Sequence, residues 1–197
     1  MIIALSGYAR SGKDEAAKVL VEEFGFRQVA FADKLRDVLY QLNPVVVADA
    51  KYHGMVPPPD YDGPVYQRLQ WVIEKWGWDG YKSSPFSIEV RSLLQRMGTE
   101  AGRQTLWDSI WIDAALKGIG LDEDVVISDG RFINEFEAVR NIGGEVWRIE
   151  RPGVGPANDH PSELEALTYD KFALFIINDG NLEDYKETIK NAYRSSL

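Results

Sequence analysis

The sequence predicts an α/β fold built on a parallel sheet. Three observations carry this. Short apolar runs alternate with amphipathic helical segments along the chain. The runs at 2–6 (IIALS) and 124–128 (DVVIS) lack polar alternation, as strands covered on both faces do. A glycine-rich motif, Gly7-Tyr8-Ala9-Arg10-Ser11-Gly12-Lys13, lies between the first strand and the first helix.

Taken in order, the strand 2–6 stops at Gly7, and 13–24 reads as a helix with Ala16, Val19, Leu20 and Phe24 on one face and Gly25 as its stop. Gln28 to Phe31 make a second short strand. Asp33 caps the next helix, whose apolar side is Leu35, Val38, Leu39 and Leu42, and Pro44 ends it. Residues 45–64 change character: Gly54, Pro57, Pro58, Pro59, Asp60, Gly63 and Pro64 punctuate a loop. The stretch with Trp71, Trp76 and Trp78 reads as helical, and 45–85 together reads as an inserted lobe. Helical spacing returns over 86–103, with Val90, Leu93, Leu94 and Met97, and again over 107–117. The strand 124–128 ends at Asp129. A helix face of Phe132, Phe136 and Val139 closes at Gly143 and Gly144, and 145–150 is strand-like. Residues 151–163 form a Pro/Gly loop, 173–177 a fifth strand, and 181–195 a polar helix capped by Asn181. Ligands on such sheets gather at the carboxyl ends of the strands, where the glycine motif, Asp129 and Arg151 all fall.

Composition narrows the function classes. With 197 residues, 45% of them hydrophobic, the chain can bury one sizeable core. A net charge of -9 repels a nucleic-acid backbone and argues against a nucleic-acid-binding module, while leaving room for a small anion held by placed arginines. Without cysteine there is no disulfide and no thiolate metal site. Two histidines, His53 and His160, are too few for an imidazole zinc centre. Neither a signal peptide nor a run of about 18 apolar residues is visible, so a soluble cytoplasmic protein with no membrane partner is expected.

Gly7 to Lys13 fits GxxxxGK in the strand–turn–helix context that a phosphate loop needs. Glycines at 7 and 12 let backbone N–H groups converge on phosphate oxygens, the helix start adds its positive dipole end, and Lys13 reaches the β- and γ-phosphates. A glycine-rich turn with a surface lysine is the weaker competing reading. Arg10 reads equally as a phosphate contact or a solvated side chain. Asp14 stands where a hydroxyl usually helps to hold Mg²⁺; a carboxylate there binds the metal directly or through water and repels phosphate without it. Asp129, at a strand end, suits a place near Mg²⁺ and its water, or else a turn. Arg131 reads as a substrate or phosphate ligand, or as an exposed helix-start arginine. Arg36, Arg91, Arg96, Arg103, Arg148 and Arg151 are further cations, each taken singly more in keeping with solvation than with catalysis. The tryptophans read as lobe packing before base stacking, and a ligand contact at His160 is the lesser reading.

Taken together, the chain resembles the bacteriophage deoxynucleoside monophosphate kinases. The resemblance runs through LSGYARSGKD at 5–14, FADKLRDVL at 31–39, RSLLQRMGTE at 91–100, Trp111, VVISDGR at 125–131, EAVRNIGGEVWRIERPG at 137–153, DHPSE at 159–163 and INDGNLEDY at 177–185. It implies a P-loop kinase-like three-layer fold whose five parallel strands are ordered 2-3-1-4-5. One domain would span 1–197, with an acceptor-side, mostly helical lobe at about 45–85 and a lid at about 151–168. It implies transfer of the ATP γ-phosphate to a deoxynucleoside 5′-monophosphate with Mg²⁺, a small-molecule partner rather than nucleic acid or membrane, and it is compatible with a homodimer. By the same resemblance Gly7, Arg10, Ser11, Gly12, Lys13 and Asp14 hold the donor, with Asn178 and Gly180 near its adenine. Arg36, Arg91, Gln95, Thr99, Asp129, His160 and Glu163 bind the acceptor. Lys13, Arg131 and Arg151 act on the transferred group, and Asp14 and Asp129 hold Mg²⁺, directly or through water. Glu15, where relatives carry a hydroxyl, and the stretch 43–88, without a clear counterpart, depart from the pattern. Animal phosphomevalonate kinases share SGKD, an aspartate-arginine pair and a late Asn-X-Gly but lack the GTE and ERPG matches. A regulatory ATPase without a small acceptor is the alternative from another class.

Overall fold

A computed structural model of the chain describes residues 1–48, 63–120, 122–156, 166 and 168–197. The elements run β1 (Ile2–Ser6), α1 (Lys13–Phe24), β2 (Arg27–Val29), α2 (Ala32–Leu42), β3 (Val45–Ala48), β4 (Val65–Arg68), α3 (Leu69–Gly80), α4 (Ser87–Gln95), a π-helix (Arg96–Leu106), α5 (Ile110–Leu116), β5 (Val125–Ile127), α6 (Ile133–Asn141), β6 (Glu145–Glu150), β7 (Leu174–Ile177) and α7 (Leu182–Ser195). They divide into two compact units, Met1–Phe31 with Ile112–Leu197, and Ala32–Trp111.

The first unit holds a five-stranded sheet in the order β2-β5-β1-β6-β7, with every pair parallel. Counted among these five strands alone, the order is the 2-3-1-4-5 that the family resemblance implies. One face carries Ile3, Leu5, Trp147 and Ile149 against Ala16, Val19 and Leu20 of α1 and Tyr185 and Ile189 of α7. The other carries Ala4, Val125, Ile127 and Val146 against Phe136 and Val139 of α6, with Ile112 and Ala115. Adjacent residues on β1 therefore serve opposite layers, and residues two apart, such as Ile3 and Leu5, serve the same one, as the pleat dictates. Helix α1 stops at Gly25 (φ 75°), where Gly25 N–H donates to Val21 O at 3.1 Å and Phe26 N–H to Leu20 O at 3.2 Å, the left-handed closure that glycine permits. The buried Glu135 carboxylate accepts the backbone N–H groups of Arg131 (2.8 Å) and Phe132 (3.0 Å), which sets the turn between β5 and α6.

In the second unit, Leu35, Leu39, Val46, Leu69, Val72, Ile73, Phe86, Val90 and Trp111 form a separate core. Two sequence expectations change here. The stretch 45–64 is not wholly loop: β3 and β4 pair antiparallel, with Val46 and Ala48 buried and Val45 and Val47 exposed. The short strand is hidden by Pro44, which reads as a plain stop. Residues 49–62, with His53 and most of the Pro/Gly cluster, lie outside the described residues. The predicted helix 86–103 is α4 only to Gln95 and then widens into the π-helix. The cause is visible in Trp111, whose indole N–H donates to the Gly98 carbonyl at 3.0 Å and whose ring lies against Gly102. A Cβ at Gly102 would stand 2.6 Å from the indole nitrogen, so the wide turn and the glycine go together. The helix expected at 107–117 is shorter, Ile110–Leu116.

Among the described residues no helix is long and apolar enough to cross a membrane. The cap expected at Asn181 is present: its side-chain oxygen accepts the N–H groups of Glu183 (2.9 Å) and Asp184 (3.0 Å). Asn181→Ala is expected to lower stability by about 1 kcal/mol, seen as a lower urea midpoint at unchanged slope.

Candidate active site

The chain leaves the sheet at Ser6, fully buried, and turns through Gly7 (φ 149°) and Gly12 (φ 113°) before α1 begins. A Cβ at Gly7 would run into the Ile149 carbonyl, and one at Gly12 would lie 2.6 Å from Asn178 Nδ2. Arg10, exposed on the loop, holds a φ of 69°, a left-handed geometry that side chains seldom adopt outside functional turns. Ser11 N–H closes the turn on Tyr8 O at 3.1 Å. Lys13 Nζ donates to the carbonyls of Gly7 (2.6 Å) and Tyr8 (2.8 Å), which keeps the ammonium against the loop. Gly12, at the N-cap of α1, has no side chain to cap the helix, whose start carries the positive end of the dipole. Ser11 Oγ is buried and has no hydrogen-bond partner among the described residues. A helix start with no side-chain cap at Gly12, a buried hydroxyl and an ammonium group within one turn fit a nucleotide polyphosphate.

The carbonyls that point away from the loop are held from the far end of the chain. Asn178, just past β7, donates its amide to Ser11 O at 2.9 Å, and the Tyr185 hydroxyl donates to Gly12 O at 3.1 Å. Burial, and then the nearby Glu15 carboxylate, push the Tyr185 phenol far above its ordinary range, so it stays a donor throughout the range in which the protein works. The resemblance places Asn178 near a base; in the structure its amide braces the loop, while Gly180 is exposed beside Asp184. Tyr185 is not among the sequence candidates. The only trace of it is that a tyrosine on an apolar helix face needs a partner for its hydroxyl.

Around the loop, Asp129 follows β5 half-buried, and its Oδ1 accepts the Phe31 N–H at 2.8 Å. Asp14 is exposed in the first turn of α1. Among the described residues no cluster of three or more acids or histidines could cage a metal ion. One or two carboxylates completed by phosphate oxygens and water is how Mg²⁺ is usually held, and Asp14 and Asp129 suit that donor set. Arg131 is exposed, with its backbone N–H fixed by Glu135. Ser6, Gly7, Tyr8, Gly130, Arg131 and Arg148 line one cleft. Arg148 is only 3% exposed, and its guanidinium carbon lies 4.9 Å from the centre of the Tyr8 ring. The sequence counts it among several arginines; its signal is a charge between Trp147 and Ile149 in a strand buried on both faces.

In the second unit, Arg36 pairs with Asp33 at 3.2 Å. Burial raises the Tyr81 phenol, and Arg36 and then Arg91 pull it back, so both cations act on one ring. Arg91 also borders a hollow with Tyr81, Lys82, Ser87 and Ile88. Gln95 and Thr99 are exposed, but Thr99 lies in the π-helix and is off the helical register of Arg91 and Gln95. Arg151 is exposed after β6, in a turn closed by Val154 N–H on its carbonyl at 3.0 Å. His160 and Glu163 lie outside the described residues.

Gly12→Ala strains the backbone and presses a methyl group on the Asn178 amide. It is expected to weaken binding of a non-hydrolysable ATP analogue on the order of 100-fold. Tyr185→Phe, which deletes one neutral hydrogen bond, is expected to weaken it about 5-fold, near 1 kcal/mol. Calorimetric titration checks both.

The chain is similar to known proteins over most of its length. Residues 80–189, more than half of the chain, match the family described as Deoxynucleotide monophosphate kinase. A protein of Acanthamoeba polyphaga mimivirus, provisionally named as such a kinase, is 27% identical over 205 residues, an alignment covering 96% of this chain and 94% of that protein. The deoxynucleotide monophosphate kinase of Enterobacteria phage T4 is 24% identical over 242 residues, with 98% of each chain covered. The deoxynucleoside-5'-monophosphate kinase of Escherichia phage T5 is 36% identical over 107 residues, covering 50% of this chain and 42% of that one. With a phosphate loop of the geometry described and a family match over more than half its length, the chain belongs to the deoxynucleotide monophosphate kinase family.

Proposed function

We propose that the protein transfers the γ-phosphoryl group of ATP to a deoxynucleoside 5′-monophosphate, releasing a deoxynucleoside diphosphate and ADP. The observation that carries this reading is the phosphate loop, where Lys13 lies against the Gly7 and Tyr8 carbonyls at the uncapped start of α1. Membership of the family supplies the acceptor class.

An oxygen of the acceptor phosphate attacks the γ-phosphorus, and the bond from that phosphorus to the β-bridging oxygen breaks as ADP leaves. The acceptor phosphate is largely dianionic at neutral pH, so no general base is needed and catalysis is positioning plus charge stabilisation. The loop amides, Ser11 and Lys13 bind the donor phosphates, with Arg10 at the rim. Asp14 and Asp129 would hold Mg²⁺, directly or through water, and the ion would supply neutralisation of phosphate charge. Arg36 and Arg91 hold the acceptor phosphate, with Gln95 and Thr99 beside it. Arg131 faces the transferred group. Arg151, in a lid over about 151–168, closes on the γ-phosphate and excludes water that would otherwise hydrolyse ATP, and His160 and Glu163 bind the acceptor. Residues 45–85 form the acceptor-side lobe and select the base.

Lys13→Ala is expected to lower kcat/KM for the monophosphate by about 100-fold or more, with the circular dichroism spectrum and urea midpoint unchanged. Turnover at the wild-type rate in that variant sinks the assignment. A coupled assay with dAMP, dCMP, dGMP, dTMP and mevalonate 5-phosphate separates the reading from its competitors. A phosphomevalonate kinase responds to the last alone, and a regulatory ATPase releases ADP at a rate that no acceptor changes.

A further inference from the structure

β6 carries one cation into the cleft that the reaction as described does not use. The Arg148 side chain is 4% exposed, so its guanidinium has given up nearly all its water. Its compensation is thin. Nη1 donates to Ser6 Oγ at 3.3 Å, and Nε to Glu150 Oε1 at 3.4 Å, both longer than a well-made N–H···O bond. The Glu150 side chain is 53% exposed, so solvent screens much of its charge. An arginine has five N–H donors, and among the described residues these two contacts are the ones its nitrogens make to oxygen. The rings of Tyr8 (4.9 Å) and Phe172 (5.9 Å) hold the guanidinium in place without satisfying its remaining N–H groups.

The location is as telling as the shortfall. Arg148 is in register with Ser6, the last residue of β1, so it stands where the chain lifts into the phosphate loop. It shares its cleft with Gly7, Tyr8, Gly130 and Arg131. A buried arginine kept only for packing is replaceable by an apolar residue of similar size at little loss, whereas a preset fork beside a phosphate loop is what an incoming phosphoryl group requires.

We infer that Arg148 is a phosphate-binding residue of this site, its fork taking oxygens of a nucleotide phosphoryl group in the cleft beside Gly7 and Arg131. The identity of the nucleotides rests on the kinase reading above; the anion chemistry does not. The donor γ-phosphate and the acceptor α-phosphate offer the same oxygens, and the test has an arm for each.

Arg148→Met keeps an unbranched apolar stem in the core without charge or donors, and Arg148→Lys keeps the charge without the fork. The full-length wild type and both variants are titrated calorimetrically with four probes: a non-hydrolysable ATP analogue, ADP, the four deoxynucleoside monophosphates, and the matching deoxynucleosides. Arg148→Met is expected to weaken one phosphorylated partner about 10- to 100-fold while sparing its counterpart. Loss for the ATP analogue but not ADP identifies the γ-phosphate; loss for a monophosphate but not its nucleoside identifies the acceptor. Arg148→Lys, the variant to rely on if the methionine form unfolds, is expected to show the same selectivity at smaller size. Equal weakening of both members of each pair, or none, overturns the inference and leaves Arg148 as a support for Tyr8. If the wild type binds the ATP analogue but phosphorylates no monophosphate, the kinase reading fails while the donor arm of this test still decides the role of Arg148.

Discussion

Everything in the first unit answers to one constraint: a strand buried from Ile3 to Ser6 must turn, within six residues, into a helix that starts without a side-chain cap from its own N-cap residue. That turn needs the positive φ angles of Gly7 and Gly12 and tolerates one at Arg10. Its Ser11 and Gly12 carbonyls, the latter already accepting the Ala16 N–H at 2.9 Å, take further donors from side chains. Asn178 and Tyr185 supply them. The sheet order follows the same logic. With β1 between β5 and β6, the loop has the Asp129–Arg131 turn on one side and Arg148 on the other.

Charge is organised locally rather than globally. The chain carries a net charge of -9, which by itself repels a polyphosphate. Lys13, Arg131 and Arg148 nonetheless border one small region of the first unit, and Arg36 and Arg91 act on one tyrosine in the second. Fixed cations at close range outweigh a diffuse field that salt largely screens.

What was legible in the chain follows from how each feature is encoded. α1, β6 and α7 match their predicted spans to within a residue because an apolar stripe or run, a stop glycine or a capping asparagine writes them locally. The loop is legible for the same reason. β3 was not, since four residues behind a proline carry too little pattern. The π-helix was not, since its widening depends on an indole thirteen residues beyond Gly98. Arg148 and Tyr185 escaped because their significance lies in what the fold brings beside them: Ser6 and Tyr8 for one, the Gly12 carbonyl for the other. Asn178 was noticed from its motif, but its direct contact is with the loop's backbone.

The Asn178 contact spans 167 residues of chain, which sets an order of events during synthesis. The loop is made before the segment after β7 and the first turn of α7, and among the described residues its Ser11 and Gly12 carbonyls have no other side-chain donor. At translation speeds of about 5–20 residues per second, that wait is on the order of ten seconds or more. A nascent or prematurely terminated chain therefore carries an intact motif without a rigid grip on nucleotide. β7 leads into Asn178 and α7 carries Tyr185, so elements far along the chain from the motif are the ones that brace it.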